Sequence, residues 1–266
     1  MKEPSSHQGN NCFTIILPKN SAVRAIKMSL QRLIFAVGLL LVTQTPRIRS
    51  LHHRIIYLNT DIETKNKILF AYDIVRKAFE QFGDTGALAL AFNGGKDCLV
   101  VYQLVKAYCE RTKKHMPAIV YFKGEDEFPE MIEFLHETLD RHNLPLKIFY
   151  EGVKKGLADL QKDGIQAVFM GQRITDPYAP PSHFAKTDEG WPDIIRINPI
   201  LSLDYASVWK FLKGTKTRYC ALYDDGYTSL GPKSKTSRNS LLYSQGKHRS
   251  ADELELTESE RQGRCS

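Results

Sequence analysis

The chain of 266 residues has room for one α/β domain with a sizeable core and an appendage. Its hydrophobic content of 42% and charged content of 25% are ordinary for a globular protein. The net charge of +7 suggests a nucleic-acid partner, but residues 1–60 hold eight Lys and Arg against one Glu, so the remaining chain is neutral overall. We therefore expect no nucleic-acid partner for the folded part.

Residues 1–60 are predicted to be a leader or a disordered extension. An apolar block at residues 33–42 has basic flanks, but it is shorter than the roughly 20 residues that cross a bilayer. Its size is that of a signal-peptide core, although no Ala-x-Ala cleavage site follows, and the acid-poor, Arg-bearing composition also fits a mitochondrial transit peptide. An unstructured, isoform-specific extension is the third interpretation.

The compartment is predicted from the five cysteines, which are widely spaced and form no Cys-x-x-Cys pair. An odd number at this spacing predicts neither a disulfide framework nor a zinc site, and it favours a reducing compartment. We therefore expect a cytoplasmic protein, with a mitochondrial location as the alternative. We expect no membrane association for residues 61–266.

Residues 61–266 are predicted to form one domain in which strands alternate with helices. Ile62–Phe82 places its apolar residues on one broad face and predicts an amphipathic helix. Apolar runs of strand length lie at residues 87–92, 117–122, 146–150 and 167–170, and helical segments lie at residues 97–113, 129–141 and 152–163. This alternation predicts a doubly wound, mostly parallel sheet with helices on both faces and ligands beyond the carboxyl ends of the strands.

The first strand ends in a glycine loop at residues 92–98, Phe-Asn-Gly-Gly-Lys-Asp-Cys, and a helix follows at once. This geometry directs backbone N–H groups and a helix N-terminus at an anion, and Gly94 and Gly95 let the backbone approach a phosphate closely. Lys96 adds a positive charge, and Asp97 is suited to a helix N-terminus or to Mg²⁺. The spacing fits neither a P-loop nor a dinucleotide fingerprint, and a tight turn with nothing bound is the alternative.

Two further clusters follow later in the chain. Residues 170–178 come after the fourth strand, where Arg173 offers a planar fork for phosphate and Asp176 a carboxylate for a metal or a ribose. An Arg–Asp pair that only holds a surface loop is the alternative. In residues 190–201, Trp191 could stack on a flat heteroaromatic ring, although a single Trp is more often part of a core.

These motifs resemble a known family. Phe-Asn-Gly-Gly-Lys-Asp at residues 92–97 is similar to the pyrophosphate loop of the ATP-pyrophosphatase group, with Asn93 in place of the usual serine, and its form is that of eukaryotic FAD synthases (FMN adenylyltransferases). Residues 171–178 resemble the family's Gly-x-Arg-Arg-x-Asp-Pro-Tyr, and residues 219–231 resemble its Tyr-Cys-x-Leu-Tyr-Asp-x-Gly-Tyr-Thr-Ser-Leu-Gly. The terminal Glu-Arg-x-x-Arg is matched at residues 260–264.

The likeness covers roughly residues 62–264, with departures at Ile174, Leu203 and Ser240. It implies an adenine nucleotide alpha hydrolase-like fold, related to PAPS reductases, and a nucleotidyltransferase that makes FAD and pyrophosphate from FMN and ATP with Mg²⁺. FAD would pass to flavoprotein clients. The alternatives are a catalytically weak flavin- or nucleotide-binding protein, suggested by the three departures, and a sulfonucleotide reductase-like enzyme, for which Cys265 lacks the Glu-Cys-Gly-Leu-His context.

The motifs and the resemblance together predict the site residues. The predicted catalytic residues are Asn93, Lys96, Asp97, Arg173, Arg261 and Arg264. The predicted nucleotide- and flavin-binding residues are Phe92, Gly94, Gly95, Phe122, Gly171, Asp176, Trp191, Asp193 and Arg196. Asp97 and Asp176 are the predicted Mg²⁺ ligands, and adenine is expected near Phe92 and Phe122.

Overall fold

The computed structural model describes residues 50–83 and 86–265. The interpretations of residues 1–49 therefore lie outside the described residues and stay predictions. The first described helix, α1 (Leu51–Ile56), precedes the predicted boundary at residue 61. Its Leu51 and Ile55 are buried in the core, so packed structure extends to the N-terminal side of that boundary.

The helices and strands alternate as the sequence predicts. The further helices are α2 (Ile62–Phe82), α3 (Lys96–Thr112), α4 (Pro129–Asp140), α5 (Gly152–Lys162) and α6 (Tyr205–Gly214). The strands are β1 (Leu88–Ala91), β2 (Ala118–Phe122), β3 (Leu146–Phe149), β4 (Ala167–Phe169), β5 (Phe184–Lys186), β6 (Ile195–Ile197), β7 (Tyr243–Ser244) and β8 (Lys247–His248). Short 3-10 turns connect much of the chain after α6.

Local sequence signals set the ends of several helices. Asp61 caps α2, and its carboxylate accepts a hydrogen bond of 2.8 Å from the Thr64 N–H. Pro129 occupies the first turn of α4, where its missing N–H costs no hydrogen bond. Lys113 ends α3 with a φ of 61°, in the left-handed region where a helix stops.

The six-stranded sheet has the order β3-β2-β1-β4-β6-β5. β1 pairs in parallel with β2 and with β4, β2 pairs in parallel with β3, and β4 pairs in parallel with β6. Only β5 is antiparallel, and it pairs with β6 at one edge of the sheet. The predicted doubly wound, mostly parallel sheet is therefore confirmed.

Alternating side chains of the strands pack on opposite faces of the sheet. Leu88 and Leu90 belong to the larger core, which also contains the buried side chains of α1 to α4 and α6. Ala89 and Val168 face a smaller core that includes Leu157 of α5. Helices thus cover both faces, although one face carries only α5 among the described helices.

The carboxyl ends of β1 and β4 form the point where the order of the strands reverses. From β1 the chain continues to β2 and β3 on one side, whereas β4 leads to β6 and β5 on the other. Crevices at such switch points are the usual ligand sites of open α/β sheets. The two segments that meet here are the glycine loop (residues 92–98) and the segment 170–178. Among the described residues, no helix has the length and apolarity to cross a bilayer.

Candidate functional site

The glycine loop is held by its own backbone and by Asn93. Phe92 N–H donates to the Val120 carbonyl at 2.9 Å, which fixes the start of the loop to β2. The Asn93 Oδ1 accepts a 2.9 Å hydrogen bond from the Gly95 N–H. Gly94 has a φ of 81°, and a Cβ there would lie 3.0 Å from the Met131 carbonyl oxygen, so the turn favours glycine at this position.

Helix α3 begins at Lys96, within the glycine loop, and leaves backbone donors free. The Lys96 N–H donates to the Tyr223 hydroxyl at 2.9 Å. In the part of the chain that the structure describes, the N–H groups of Gly94, Asp97 and Cys98 have no protein acceptor. The unpaired donors and the positive end of the helix dipole make this position suited to an anion.

Gly171, which follows β4, packs against the start of α3. A Cβ at Gly171 would lie 2.7 Å from the Cys98 nitrogen and 2.9 Å from the Cys98 Cα and Sγ atoms. Burial raises the pKa of the Cys98 thiol to about 12, so this side chain is a neutral packing group at neutral pH. The close approach of Gly171 sets the distance between the two segments at the switch point.

We expect Gly171→Ala to displace the start of α3 and to weaken ATP binding by about tenfold or more. Overpacking at a tight contact also costs about 1–3 kcal/mol of stability. Equilibrium binding of an ATP analogue and urea unfolding measure the two effects. Gly246→Ala is the control for a loss of stability away from the site, because its φ of 82° strains an alanine while a Cβ at this β7–β8 turn meets nothing within 4 Å, so we expect unchanged nucleotide affinity. Unchanged nucleotide affinity in Gly171→Ala would contradict the role assigned to this contact.

Six charged side chains, here called the charge cluster, lie beside the loop: Lys96, Asp97, Arg173, Asp176, Glu260 and Arg261. The Lys96 Nζ atom lies 2.9 Å from Asp97 Oδ2 and 2.5 Å from Glu260 Oε1. The side chains of Lys96 and Arg173 are 2% and 1% exposed, so these cations are buried. The Lys96 ammonium is therefore paired with carboxylates inside the protein, and its predicted contact with a phosphate stays a prediction.

Arg173 is at the centre of the charge cluster. Its guanidinium donates to both oxygens of Glu260 at 2.6 and 2.8 Å, and its Nε lies 3.1 Å from Asp97 Oδ1. Asp176 accepts a 2.8 Å hydrogen bond from the Arg173 N–H and lies 3.3 Å from the guanidinium. The three cations and three carboxylates of the cluster balance in charge, which stabilises the buried Lys96 and Arg173, while Arg261 at its border is 43% exposed.

Neighbouring charges set the protonation states in the cluster. Burial alone lowers the pKa of Lys96, but Asp97 and Glu260 raise it by more, so its pKa lies above the usual value. Burial likewise raises the pKa of Asp97, whereas Lys96 and Arg173 lower it by more, so its pKa lies below the usual value. Both side chains are therefore charged at neutral pH.

The C-terminal arginines are placed differently from one another. Arg261 reaches the charge cluster, where its NH2 group lies 3.3 Å from Asp176 Oδ1. Arg264 donates instead to the Leu230 carbonyl at 2.8 Å and lies on Gly231, where a Cβ would be 2.1 Å from the guanidinium. The structure thus brings Arg261 to Arg173 and Asp176, and it holds Arg264 on the segment 229–231.

The two predicted adenine contacts, Phe92 and Phe122, lie on opposite faces of the sheet. The Phe92 ring is 1% exposed and stacks on Tyr102 at a centroid distance of 5.1 Å. Phe122 packs on Phe149 and close to Gly156 of α5, on the other face. The two rings do not face each other, because successive strand positions alternate between faces, and their contacts with adenine stay a prediction.

Three predicted flavin-binding residues, Asp193, Trp191 and Arg196, lie away from the charge cluster. Asp193 precedes β6 and lines a cleft with residues 164–166, at the amino-terminal edge of the sheet. Trp191 is half-exposed on the same loop, and the Lys154 ammonium lies 5.9 Å from its ring centroid. Arg196 donates to the Lys186 carbonyl and lies 3.3 Å from Asp188 Oδ1. Their contacts with a flavin stay predictions.

Glu260 and Tyr223 have no predicted role, but both contact the predicted site. Glu260 lies next to Arg261 in the Glu-Arg-x-x-Arg motif, of which the sequence predicts a function only for the arginines. Tyr223 belongs to the motif of residues 219–231, and its buried hydroxyl contacts Lys96. Membership in a family motif was the available signal for both residues.

A Mg²⁺ ion shared by Asp97 and Asp176 does not fit this arrangement. The guanidinium of Arg173 contacts both carboxylates, at 3.1 Å and 3.3 Å, so a cation already neutralises them. No group of three or more His, Cys, Asp or Glu side chains that could hold a metal ion occurs within residues 50–83 and 86–265.

A wide cavity of about 920 Å³ opens at the same edge of the sheet, beyond the ends of β2 and β3. Its lining includes four carboxylates, Glu125, Asp126, Glu127 and Glu133, against Lys123. Such a lining repels a polyphosphate. The glycine loop and the start of α3 are the better place for phosphate groups.

Comparisons with known proteins agree with this geometry. The phosphoadenosine phosphosulfate reductase domain model matches residues 87–156 and 151–238. A probable FAD synthase of Schizosaccharomyces pombe is 38% identical over 190 residues, which are 67% of this chain and 71% of that protein. A probable FAD synthase of Caenorhabditis elegans is 36% identical over 68% of this chain, and the match spans 36% of that longer protein.

Solved structures of Candida glabrata FMN adenylyltransferase share the fold. The complex with FMN and the ATP analogue AMPCPP is 25% identical, with a TM-score of 0.68 over 81% of each chain. The complex with FAD and inorganic pyrophosphate is 26% identical, with a TM-score of 0.67 over the same share. With the family model matching more than half of its length and a curated relative matched over most of both chains, this protein belongs to the FAD synthase family, built on the phosphoadenosine phosphosulfate reductase domain.

Proposed function

We propose that this chain is an FMN adenylyltransferase, which converts FMN and ATP into FAD and pyrophosphate. The observation that carries the proposal is the meeting of three segments at the switch point. The glycine loop presents unpaired N–H groups, residues 170–178 supply Arg173, and the C-terminal segment supplies Arg261. The relatives are FAD synthases, and the C. glabrata enzyme binds FMN with an ATP analogue and FAD with pyrophosphate.

In this reaction a phosphate oxygen of FMN attacks the α-phosphorus of ATP. The new P–O bond forms as the bond to the β-phosphate oxygen breaks, and pyrophosphate leaves. The FMN phosphate is already ionised at neutral pH, so no general base is needed, and the protein contributes positioning and charge stabilisation. The free N–H groups of Gly94, Asp97 and Cys98 are the proposed contacts of the leaving pyrophosphate.

The side chains have separate proposed tasks. Asn93 uses its oxygen within the loop, which leaves its amide N–H groups to donate to the α-phosphoryl oxygen. Arg173 and Arg261 supply positive charge near the reacting phosphates, and Arg264 extends this charge along residues 229–231. We propose that Mg²⁺ enters the site bound to ATP and screens the negative charge of the phosphates.

The direct test of this function is the formation of FAD. Purified protein mixed with FMN, ATP and Mg²⁺ is expected to give FAD and pyrophosphate in equal amounts, measured by chromatography and a pyrophosphate assay. The reaction without ATP is the control, because the adenylyl group must come from it. Flavin binding without FAD formation would support the catalytically weak binding protein instead.

The cellular setting also remains a proposal. We propose a cytoplasmic location, with the mitochondrion as the alternative, and delivery of FAD to flavoprotein clients. A fluorescent reporter fused to residues 1–60 distinguishes the two compartments.

A further inference from the structure

Glu260 joins the C-terminal segment to the elements around the glycine loop. Its carboxylate accepts a hydrogen bond of 2.5 Å from Lys96, which lies 164 positions away in the sequence. It also accepts hydrogen bonds of 2.6 and 2.8 Å from Arg173, which lies 87 positions away. The residue is 7% exposed. It is therefore a buried acid that contacts the cation of α3 and the cation that follows β4 at the same time.

The backbone on both sides of Glu260 is fixed to the segment 228–239. The Thr228 hydroxyl donates to the Glu260 carbonyl at 2.6 Å, and Asn239 Nδ2 donates to the Ser259 carbonyl at 2.9 Å. The Ser237 N–H donates to the Gly263 carbonyl at 2.7 Å. These bonds hold the C-terminal segment to its neighbours, whereas the side chain of Glu260 ties that segment to the charge cluster.

We propose that Glu260 is a positioning residue, which orients Lys96 and Arg173 and thereby sets Arg261 against Asp176. The assignment rests on the proposed adenylyltransferase function. Glu260 itself needs no contact with substrate, because its three hydrogen bonds all go to protein cations. Both bonds to Glu260 come from the NH2 nitrogen of Arg173, and the Nε atom lies 3.1 Å from Asp97 Oδ1, so the two carboxylates together hold the guanidinium from two sides.

A competing role is a placeholder, in which substrate phosphates displace Glu260 from Lys96 and Arg173. Displacement would leave a buried carboxylate without its cations, at a site where three cations and three carboxylates now balance. The two roles differ in their consequences. If Glu260 is a placeholder, its removal makes substrate binding easier. If Glu260 is a positioning residue, its removal lowers turnover.

The first experiment compares Glu260→Gln with Glu258→Gln in the full chain. Glu258 is exposed on the preceding turn, so the control makes the same change of charge outside the cluster. We expect Glu260→Gln to lower kcat by about 10–100-fold, the usual effect of losing a supporting partner of a site. Faster amide hydrogen exchange is expected at Ser237 and Cys265, whose N–H groups hold the C-terminal segment in place.

The second experiment is a double-mutant cycle with Arg261→Ala. If Glu260 acts by placing Arg261, then Arg261→Ala lowers kcat about 100-fold in the wild-type background and only about 1–10-fold beside Glu260→Gln, so that the two losses do not multiply. Additive losses, or a Glu260→Gln enzyme with full kcat and tighter FMN or ATP binding, would overturn the proposal. If Glu260→Gln does not fold, then the cycle uses Glu260→Asp, which keeps the charge but cannot span both cations.

Hydrogen exchange separates this proposal from the proposed function. If the wild-type protein forms no FAD, the adenylyltransferase function fails, while the exchange comparison of Glu260→Gln with Glu258→Gln still tests the link made by Glu260. Unchanged exchange in Glu260→Gln would then overturn the positioning role.

Discussion

Replacing Arg173 by methionine is expected to lower the free energy of unfolding by about 3–5 kcal/mol and to abolish measurable FAD formation. Methionine keeps much of the length of the side chain but leaves Asp97, Asp176 and Glu260 with only Lys96 and Arg261 as cations. Uncompensated carboxylates in a buried site are the costly outcome of breaking such a network. Urea unfolding followed by circular dichroism measures the loss.

The matched control for this change is Arg238→Met. Arg238 is about half-exposed, and its partner Asp225 is 4.0 Å away, so we expect a loss of less than about 1 kcal/mol. The stability difference between wild type and Arg173→Met should shrink as the pH falls below about 4. Lys96 and Arg173 lower the pKa of Asp97 in the folded wild type, so the stability that its negative charge contributes is lost on acidification. The variant lacks Arg173 and therefore loses less stability over the same pH range. Equal losses in Arg173→Met and Arg238→Met would show that the network contributes little.

Replacing Asn93 by alanine is expected to lower kcat by about 10²–10³-fold, with a much smaller change in the affinity for ATP. This is the usual cost of removing one donor that stabilises charge in the transition state. The backbone donors at the start of α3 remain in the variant, which is why ATP binding is largely kept. Steady-state rates of FAD formation and equilibrium binding of an ATP analogue measure the two quantities. Wild-type turnover in Asn93→Ala rules out the role of Asn93.

Asn93→Asp separates the two functions of this side chain. Aspartate keeps an oxygen for the Gly95 N–H, so the loop is preserved, but it replaces the amide donor by a negative oxygen. We therefore expect a turnover as low as that of Asn93→Ala with an intact loop. Recovery of turnover in Asn93→Asp would mean that Asn93 acts only through its bond to Gly95.

The sequence predicts the long elements of the fold well and the short ones poorly. Ile62–Phe82 and the strands before the glycine loop and the segment 170–178 have enough apolar residues for a clear pattern. β4, β5 and β6 contain three residues each, but only β4 belongs to an unbroken apolar run, whereas Lys186 and Arg196 interrupt the pattern of β5 and β6. The antiparallel direction of β5 depends on its pairing with β6. Helix α1 has six residues inside a basic stretch that resembles a leader.

Some contacts of the candidate site could also be predicted from the sequence, whereas others could not. Parallel strands bring their carboxyl ends to one edge, so the meeting of the glycine loop with Arg173 and Asp176 could be predicted from topology. The pairing of Glu260 with Lys96 could not, because their separation of 164 positions is closed only by the complete tertiary structure. Phe92 and Phe122 show a further limit, since the face that each ring takes depends on the register of its strand.

The antiparallel strand β5 also bears on the colloidal behaviour of the protein. An edge strand presents unpaired N–H and C=O groups with which a strand of another chain can pair. β5 has only three residues, and β3 at the other border has four and carries the exposed Lys147, whose ammonium is paired with Asp163. Because both edge strands are short and β3 carries a charged side chain, they offer few backbone hydrogen bonds to an incoming strand, which disfavours edge-to-edge aggregation.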